Sequence, residues 1–254
     1  MLKTRVMPVV LLTGYNVVKS VNFGVFRTLG NPITVCRIYE SRGVDELILL
    51  DIRATPEGRV PQVDIIRDIS GECFMPLTVG GGIKTVEQAR LLLRNGADKI
   101  AINTSAVESP ELISAISKEF GAQCCVISID VKLEADGRYQ VYTHGGKTSA
   151  GLDPVAWAKE VEKLGAGEIL LNSIDRDGTM TGYDLNLISQ VSAAVKLPVV
   201  AVGGAGTPHD CVTAIRDGGA TAAAAASMFH FTSHTPKIVK EHLHEAGIAV
   251  RLEH

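Results

Sequence analysis

The sequence predicts a closed (β/α)8 barrel, the TIM-barrel form of the α/β class, built from two half-barrels. Three observations predict it. Short apolar runs alternate with amphipathic stretches eight times, the pattern of a parallel sheet with crossover helices. The 254 residues suit one closed barrel. A set of segments in one half of the chain recurs in the same order in the other.

The strands read over 5–11, 46–51, 76–80, 98–102, 124–130, 168–172, 198–202 and 221–225. They are nearly all apolar, as strands buried on both faces must be. Helical patterns follow them over 32–43, 58–71, 85–95, 109–119, 153–164, 185–195, 207–217 and 235–246. The longest break in this rhythm is 131–150, where Asp136-Gly137 is a hairpin signal. That insertion follows the fifth strand, at the end of the barrel where active sites lie. No linker or low-complexity tract separates the halves, so 1–251 reads as one barrel domain. Leu252-Glu253-His254 reads as the stub of a purification tag.

The repeat is specific. Pro76-Leu-Thr-Val-Gly-Gly-Gly82 leads on to Asn103-Thr104, and Pro198-Val-Val-Ala-Val-Gly-Gly204 leads on to Ala226-Ser227. The offset is 122 residues, slipping by one after Gly218-Gly219. Glycine lets backbone N–H groups approach an anion closely, and a helix start behind the turn favours negative charge. One such turn alone is often only a tight connection. Two at equivalent positions, one of them after the seventh strand, predict two phosphate sites and a small molecule with two phosphate ends. Asn103, Thr104, Ala226 and Ser227 would add donors.

Composition narrows the partners. Hydrophobic residues make up 46% of the chain, enough for a full core, and the net charge is −3 with no basic block. Nucleic acid and anionic membrane surfaces are therefore not expected partners. No run of eighteen apolar residues predicts a membrane span, and the first residues lack a signal-peptide pattern. The five cysteines are odd in number, mostly in apolar stretches and without metal-ligand spacing. They read as reduced residues of a cytoplasmic protein. The scattered histidines form no metal set, Trp157 reads as helix packing, and no cofactor is expected.

Asp130 closes the apolar fifth strand, so its carboxylate points into the barrel mouth as a general acid or base. Asp51 ends the second strand, and Asp175 and Asp177 lie beyond the sixth. Capping a helix or satisfying loop amides is the alternative for these, and it is the favoured one for Asp177. The repeat sets Leu11 opposite Asp130, where an acid–base pair would need a second carboxylate. At the other end, Arg5, Glu46, Lys99 and Glu168 open strands one, two, four and six. Two acids and two bases at the barrel bottom could close a ring: a stability layer is the usual meaning of that face, and a charged gate over an axial passage is the sharper reading, which sequence alone does not prefer.

Taken together these residues carry a resemblance. Over essentially its whole length the chain resembles the cyclase subunits of imidazole glycerol phosphate synthase. Matching stretches include Thr78-Val-Gly-Gly-Gly-Ile83, Gly96-Ala-Asp-Lys99, Gly165-Ala-Gly-Glu-Ile-Leu170, Ser173-Ile-Asp-Arg-Asp-Gly-Thr179 and Gly203-Gly-Ala-Gly206. The resemblance implies a glutaminase partner on the barrel bottom. Ammonia would pass a four-residue gate and meet a ribulosyl bisphosphate at the top in a lyase–cyclase reaction. Arg5, Glu46, Lys99 and Glu168 match the gate. Lys19, Gly81, Gly82, Asn103, Thr104, Gly203, Gly204, Ala226 and Ser227 fall on phosphate or substrate positions, with Asp51 and Asp177 counted beside them. Asp130 matches one of two catalytic aspartates.

The departures matter as much. The other catalytic aspartate is Leu11 here, Asn172 stands where the family usually has threonine, and Val202 where it has serine. These changes resemble a branch encoded with surface-polysaccharide genes, in which the barrel delivers ammonia to a separate amidotransferase making acetamidino sugars. Three expectations follow: a histidine-pathway cyclase, an ammonia-delivering paralogue with little cyclase activity, and a non-catalytic scaffold for the glutaminase. The phosphate turns speak against the third, Leu11 speaks for the second, and the weight of the family resemblance speaks for the first.

Overall fold

The computed structural model describes residues 3–24 and 26–252; the expected tag residues Glu253 and His254 lie outside them. The described residues form twelve strands: β1 Arg5–Thr13, β2 Asn16–Lys19, β3 Arg27–Gly30, β4 Leu47–Asp51, β5 Leu77–Gly80, β6 Lys99–Ile102, β7 Cys125–Leu133, β8 Tyr139–Thr143, β9 Thr148–Ser149, β10 Glu168–Ser173, β11 Val199–Val202 and β12 Ala222–Ala225. Eight of them, in the order β10-β11-β12-β1-β4-β5-β6-β7, pair in parallel, and β7 pairs back to β10 to close the barrel. The expected (β/α)8 barrel is therefore the observed fold.

The remaining four strands form two hairpins in equivalent places. β2 and β3 fold back on β1, and β8 and β9 fold back on β7. The second hairpin turns at Glu134–Arg138, where the Asp136-Gly137 signal predicted it. The first was not foreseen, because Gly14-Tyr15 is a weak turn signal and Asn16–Lys19 is very short. Each hairpin stands on the C-terminal end of its strand and walls one side of the barrel mouth.

The outer helices are α1 Pro32–Ser41, α2 Val63–Glu72, α3 Val86–Arg94, α4 Thr104–Glu108, α5 Glu111–Phe120, α6 Pro154–Lys163, α7 Leu185–Ala194, α8 Pro208–Arg216, α9 Ser227–Phe231 and α10 Pro236–Glu245. Side-chain oxygens of Asn31, Thr85, Asp153, Asp184 and Thr235 satisfy first-turn N–H groups of α1, α3, α6, α7 and α10. α2 begins at residue 63 rather than the expected 58. Pro61 explains the difference, since it holds Val60 out of the α region. The short helices α4 and α9 were also missed, one turn being too little for a periodic pattern to register.

Two apolar layers hold the barrel together. The larger lies between strands and helices and includes Val10, Leu49, Ile113, Ile127 and Val239. The smaller fills the barrel interior with Met7, Val9, Ile48, Ala101, Val126, Leu170, Val200, Ala222 and Ala224. Side chains alternate between the two along each strand. That alternation aims Leu11, Leu50, Asp130, Asn172 and Val202 inward, one step above the inner layer. Among the described residues no helix is long and apolar enough to cross a membrane.

Candidate functional site at the barrel mouth

A cavity of about 400 Å³ opens at the C-terminal ends of the strands. Its walls include every residue that the sequence assigned to phosphate, substrate or catalysis, from Lys19 on β2 to Ser227 on α9. The two glycine turns face each other across it. A Cβ at Gly82 would sit 1.9 Å from the Arg59 carbonyl oxygen, and one at Gly204 would sit 2.2 Å from that of Gly182. Both residues also have positive φ, 66° and 113°. Only glycine fits either place. Behind the turns, α4 starts after Asn103 and α9 after Ala226, in equivalent positions of the two halves.

Asp130 stands on the cavity floor. Its carboxylate accepts from Asn103 Nδ2 at 2.7 Å, Ser128 Oγ at 3.3 Å and Asn172 Nδ2 at 3.4 Å. Burial raises its pKa. The three donors pull the other way, the charge of Asp177 adds to the rise, and the result is pushed up to about 6. A carboxyl poised there exchanges protons near neutral pH.

The register explains what Leu11 means. Asp130 on β7 pairs with Asn172 on β10, and Leu11 on β1 pairs with Leu50 on β4. Leu50 and Asn172 differ by the repeat offset of 122 residues, so Leu11 occupies the place of Asp130 in the other half. The cavity floor therefore has a polar side, Asp130 with its amides, and an apolar side, Leu11 with Leu50 and Val202.

Lys19 and Asp177 form a buried ion pair, Nζ to the carboxylate oxygens at 3.2 and 3.3 Å. This corrects the favoured reading of Asp177 as a cap for loop amides: its side chain serves a lysine on the opposing hairpin. Burial raises the Asp177 pKa, and Lys19 opposes that rise without cancelling it. Asp51 is buried and held by Arg59 Nη1 at 2.6 Å and the Arg53 backbone N–H at 3.1 Å. Asp175 accepts from the Leu133 N–H at 2.8 Å, which is the loop-amide role considered for it.

Below the inner layer, Arg5, Glu46, Lys99 and Glu168 close one ring across the barrel bottom. Arg5 bonds both Glu46, at 3.0 Å, and Glu168. Lys99 bonds Glu46 at 2.8 Å and Glu168 at 3.0 Å. Thr78 Oγ1 donates to Glu46 at 2.7 Å. Burial pushes the Glu168 pKa up, but Arg5 and Lys99 outweigh it and hold the carboxyl below its ordinary range. The ring and Asp130 thus lie at opposite ends of an interior lined by apolar side chains.

Sequence reasoning missed two members of the site. Ser128 lies two residues before Asp130 and so on the same strand face, a signal that was available. Arg59 comes from an irregular loop and reaches Asp51 only through the fold. His144 lines the cavity, its backbone N–H donating to Thr104 Oγ1 at 3.0 Å. His230 contacts Tyr39 Oη at 3.1 Å, its pKa lowered to about 4 by burial and by Lys19. Trp157 is buried on α6, as expected.

With this geometry in hand, two comparisons are informative. The sequence profile of the family described as "Histidine biosynthesis protein" matches residues 5–235. The chain is also 47% identical over 251 residues to the imidazole glycerol phosphate synthase subunit HisF of Alkaliphilus metalliredigens (strain QYMF). That alignment covers 99% of this chain and all of the relative.

Proposed function

The chain belongs to the histidine biosynthesis protein family as a HisF-like cyclase subunit, and from that premise we propose that it takes ammonia from a glutaminase docked on the barrel bottom and uses it on a bisphosphorylated ribulosyl substrate at the mouth. One observation carries the reading: a closed charged ring and a two-turn cavity occupy opposite ends of one apolar interior. A stability layer alone would explain the ring but not the cavity aligned with it.

In this account one phosphate sits at Gly81, Gly82, Asn103 and Thr104, and the other at Gly203, Gly204, Ala226 and Ser227. Backbone N–H groups and the starts of α4 and α9 would neutralise the phosphates. Lys19, tethered by Asp177, adds a cation between hairpin and loop, and Asp51 braces the first turn through Arg59. Asp130 would hold or release one proton at the reacting centre. Arg5, Glu46, Lys99 and Glu168 would separate the partner's ammonia from solvent, and the apolar interior favours its neutral form.

A second reading draws on Leu11. Lyase–cyclase chemistry needs an addition and an elimination, which calls for two groups of different proton affinity. Leu11 and Leu50 supply neither. The ring does not depend on them, so the barrel would keep ammonia delivery while losing cyclisation, as in a paralogue serving a separate amidotransferase that makes acetamidino sugars. Product formation from glutamine, with chain and glutaminase subunit mixed in ammonium-free buffer, tests the first reading. Turnover typical of a HisF subunit would leave the delivery reading without support. Glutamine hydrolysis stimulated on mixing, with little product, would favour it. Neither stimulation nor product would overturn both.

A further inference from the structure

Asn172 is given no role by the account above, yet its surroundings assign it one. Its side chain is buried and lines the cavity floor. The amide nitrogen donates to Asp130 Oδ1. Among the described residues its carbonyl oxygen Oδ1 is buried without a hydrogen-bond partner, and so is that of Asn103, the other amide that donates to Asp130. A buried amide normally has both ends satisfied, so two orphaned carbonyls flanking one carboxylate are unusual. Both amides donate to Asp130, that of Asn103 also to the Tyr142 carbonyl, and each leaves an acceptor over.

The repeat sharpens the point. Asn172 is to Asp130 what Leu50 is to Leu11, its parallel register partner. A polar couple stands in one half and an apolar couple in the other. On its other side Asn172 pairs in register with Val202, whose side chain offers no hydrogen bond. Among the described residues, Asp130 is the one partner of the amide and the carbonyl has none. Asn103, Asp130 and Asn172 all line the end of the cavity above the inner layer, the Asn172 carbonyl lying against Gly203.

We propose that Asn172 is a positioning residue for Asp130 and that the two, with Asn103, form a subsite for a small nitrogen ligand carrying N–H donors: ammonia, ammonium or a primary amine. The inference rests on the ammonia reading above and places the ligand off the axis, against the polar side of the floor. Other charged groups at the cavity are Asp177 with its partner Lys19, Asp51 with Arg59, Arg53 with Glu57, Lys84, and His144 and Lys147 of the β8–β9 turn. Asp177 is the one whose charge is felt at Asp130.

The test uses the full chain alone, labelled with 13C at aspartate carboxyls, with the Asp130 resonance assigned by its loss in D130N. Ammonium chloride is the probe and tetramethylammonium chloride, which has no N–H, is the control. The expected result is a shift of the Asp130 signal with ammonium only. In N172L, of similar shape but without an amide, the Asp130 midpoint should rise by about half a pH unit or more. Its ammonium response should weaken about fivefold or more. N172T, whose hydroxyl both donates and accepts, should restore part of each. Should N172L fail to fold, N172A gives the same comparison. Equal shifts with both salts, or an N172L or N172A chain unchanged in midpoint and response, would overturn the proposal. No glutaminase or bisphosphate is present, so such a failure concerns this subsite and leaves the family reading to the turnover experiment.

Discussion

Placing a carboxylate at position 11 perturbs the site most informatively. Leu11 is half-buried and faces Leu50 in register. An aspartate there would lack the amides that support Asp130, so its carboxyl should titrate no lower than about 6, the value reached by Asp130. The sign follows: a carboxyl whose pKa rises on folding destabilises the fold increasingly as pH climbs from the unfolded value towards the folded one, and constantly above it. From an ordinary 3.8 to about 6, that amounts to about 3 kcal/mol. Losing part of the leucine's burial adds about 1–2 kcal/mol at any pH. Leu11→Asp should therefore be about 4–5 kcal/mol less stable at pH 8 and about 2 kcal/mol less stable near pH 4. Adding Leu50→Asn copies the Asp130–Asn172 couple and should recover part of the loss at pH 8. Steady-state turnover from ammonium salt and the ribulosyl bisphosphate should rise about 10²- to 10⁴-fold in whichever variant stays folded. Denaturant unfolding at the two pH values checks the first part. Unchanged turnover in both variants, with the wild-type chain already at the rate of a HisF subunit, would refute the argument that Leu11 limits the chemistry.

Three further outcomes are expected. Glu168→Gln strands Arg5 and Lys99 against Glu46 and should cost about 2–4 kcal/mol at pH 7, read by denaturant unfolding. Because the folded Glu168 pKa is depressed, that difference should be present above about 4.5 and shrink as pH falls below it. Gly82→Ala and Gly204→Ala each drive a Cβ into a carbonyl oxygen. Each should weaken inorganic phosphate binding, measured by calorimetry, by about tenfold or more and lower stability by about 1–3 kcal/mol. Lys19→Met leaves Asp177 buried and unpaired, so the chain should lose about 2–4 kcal/mol at pH 8 and less in acid, where Asp177 protonates.

The barrel was legible because its signals are redundant. Apolar strands, amphipathic helices and a repeated glycine turn each point to the same closure, and the largest boundary shifts came where Pro61 delayed α2 and where hairpins extended β1 and β7. The ring was legible as four strand starts, because strand direction alone decides that they share one end. What could not be read were contacts made by loops. Asp177 looked like a cap because its loop is full of amides, and only the folded hairpin brings Lys19 to it. Arg59 reaches Asp51 for the same reason. The division of the cavity floor into polar and apolar sides needed the register, since Asn172 and Leu50 gain meaning only beside Asp130 and Leu11.

The central claim, that one ligand with two phosphate ends spans the two glycine turns, is tested most directly by calorimetric titration of the wild-type chain with the ribulosyl bisphosphate, alone and in competition with inorganic phosphate. The account predicts one ligand per chain, displacement by inorganic phosphate at both turns, and loss of affinity in each of Gly82→Ala and Gly204→Ala. Ligand binding that inorganic phosphate does not compete away, or that survives both glycine substitutions, would contradict it.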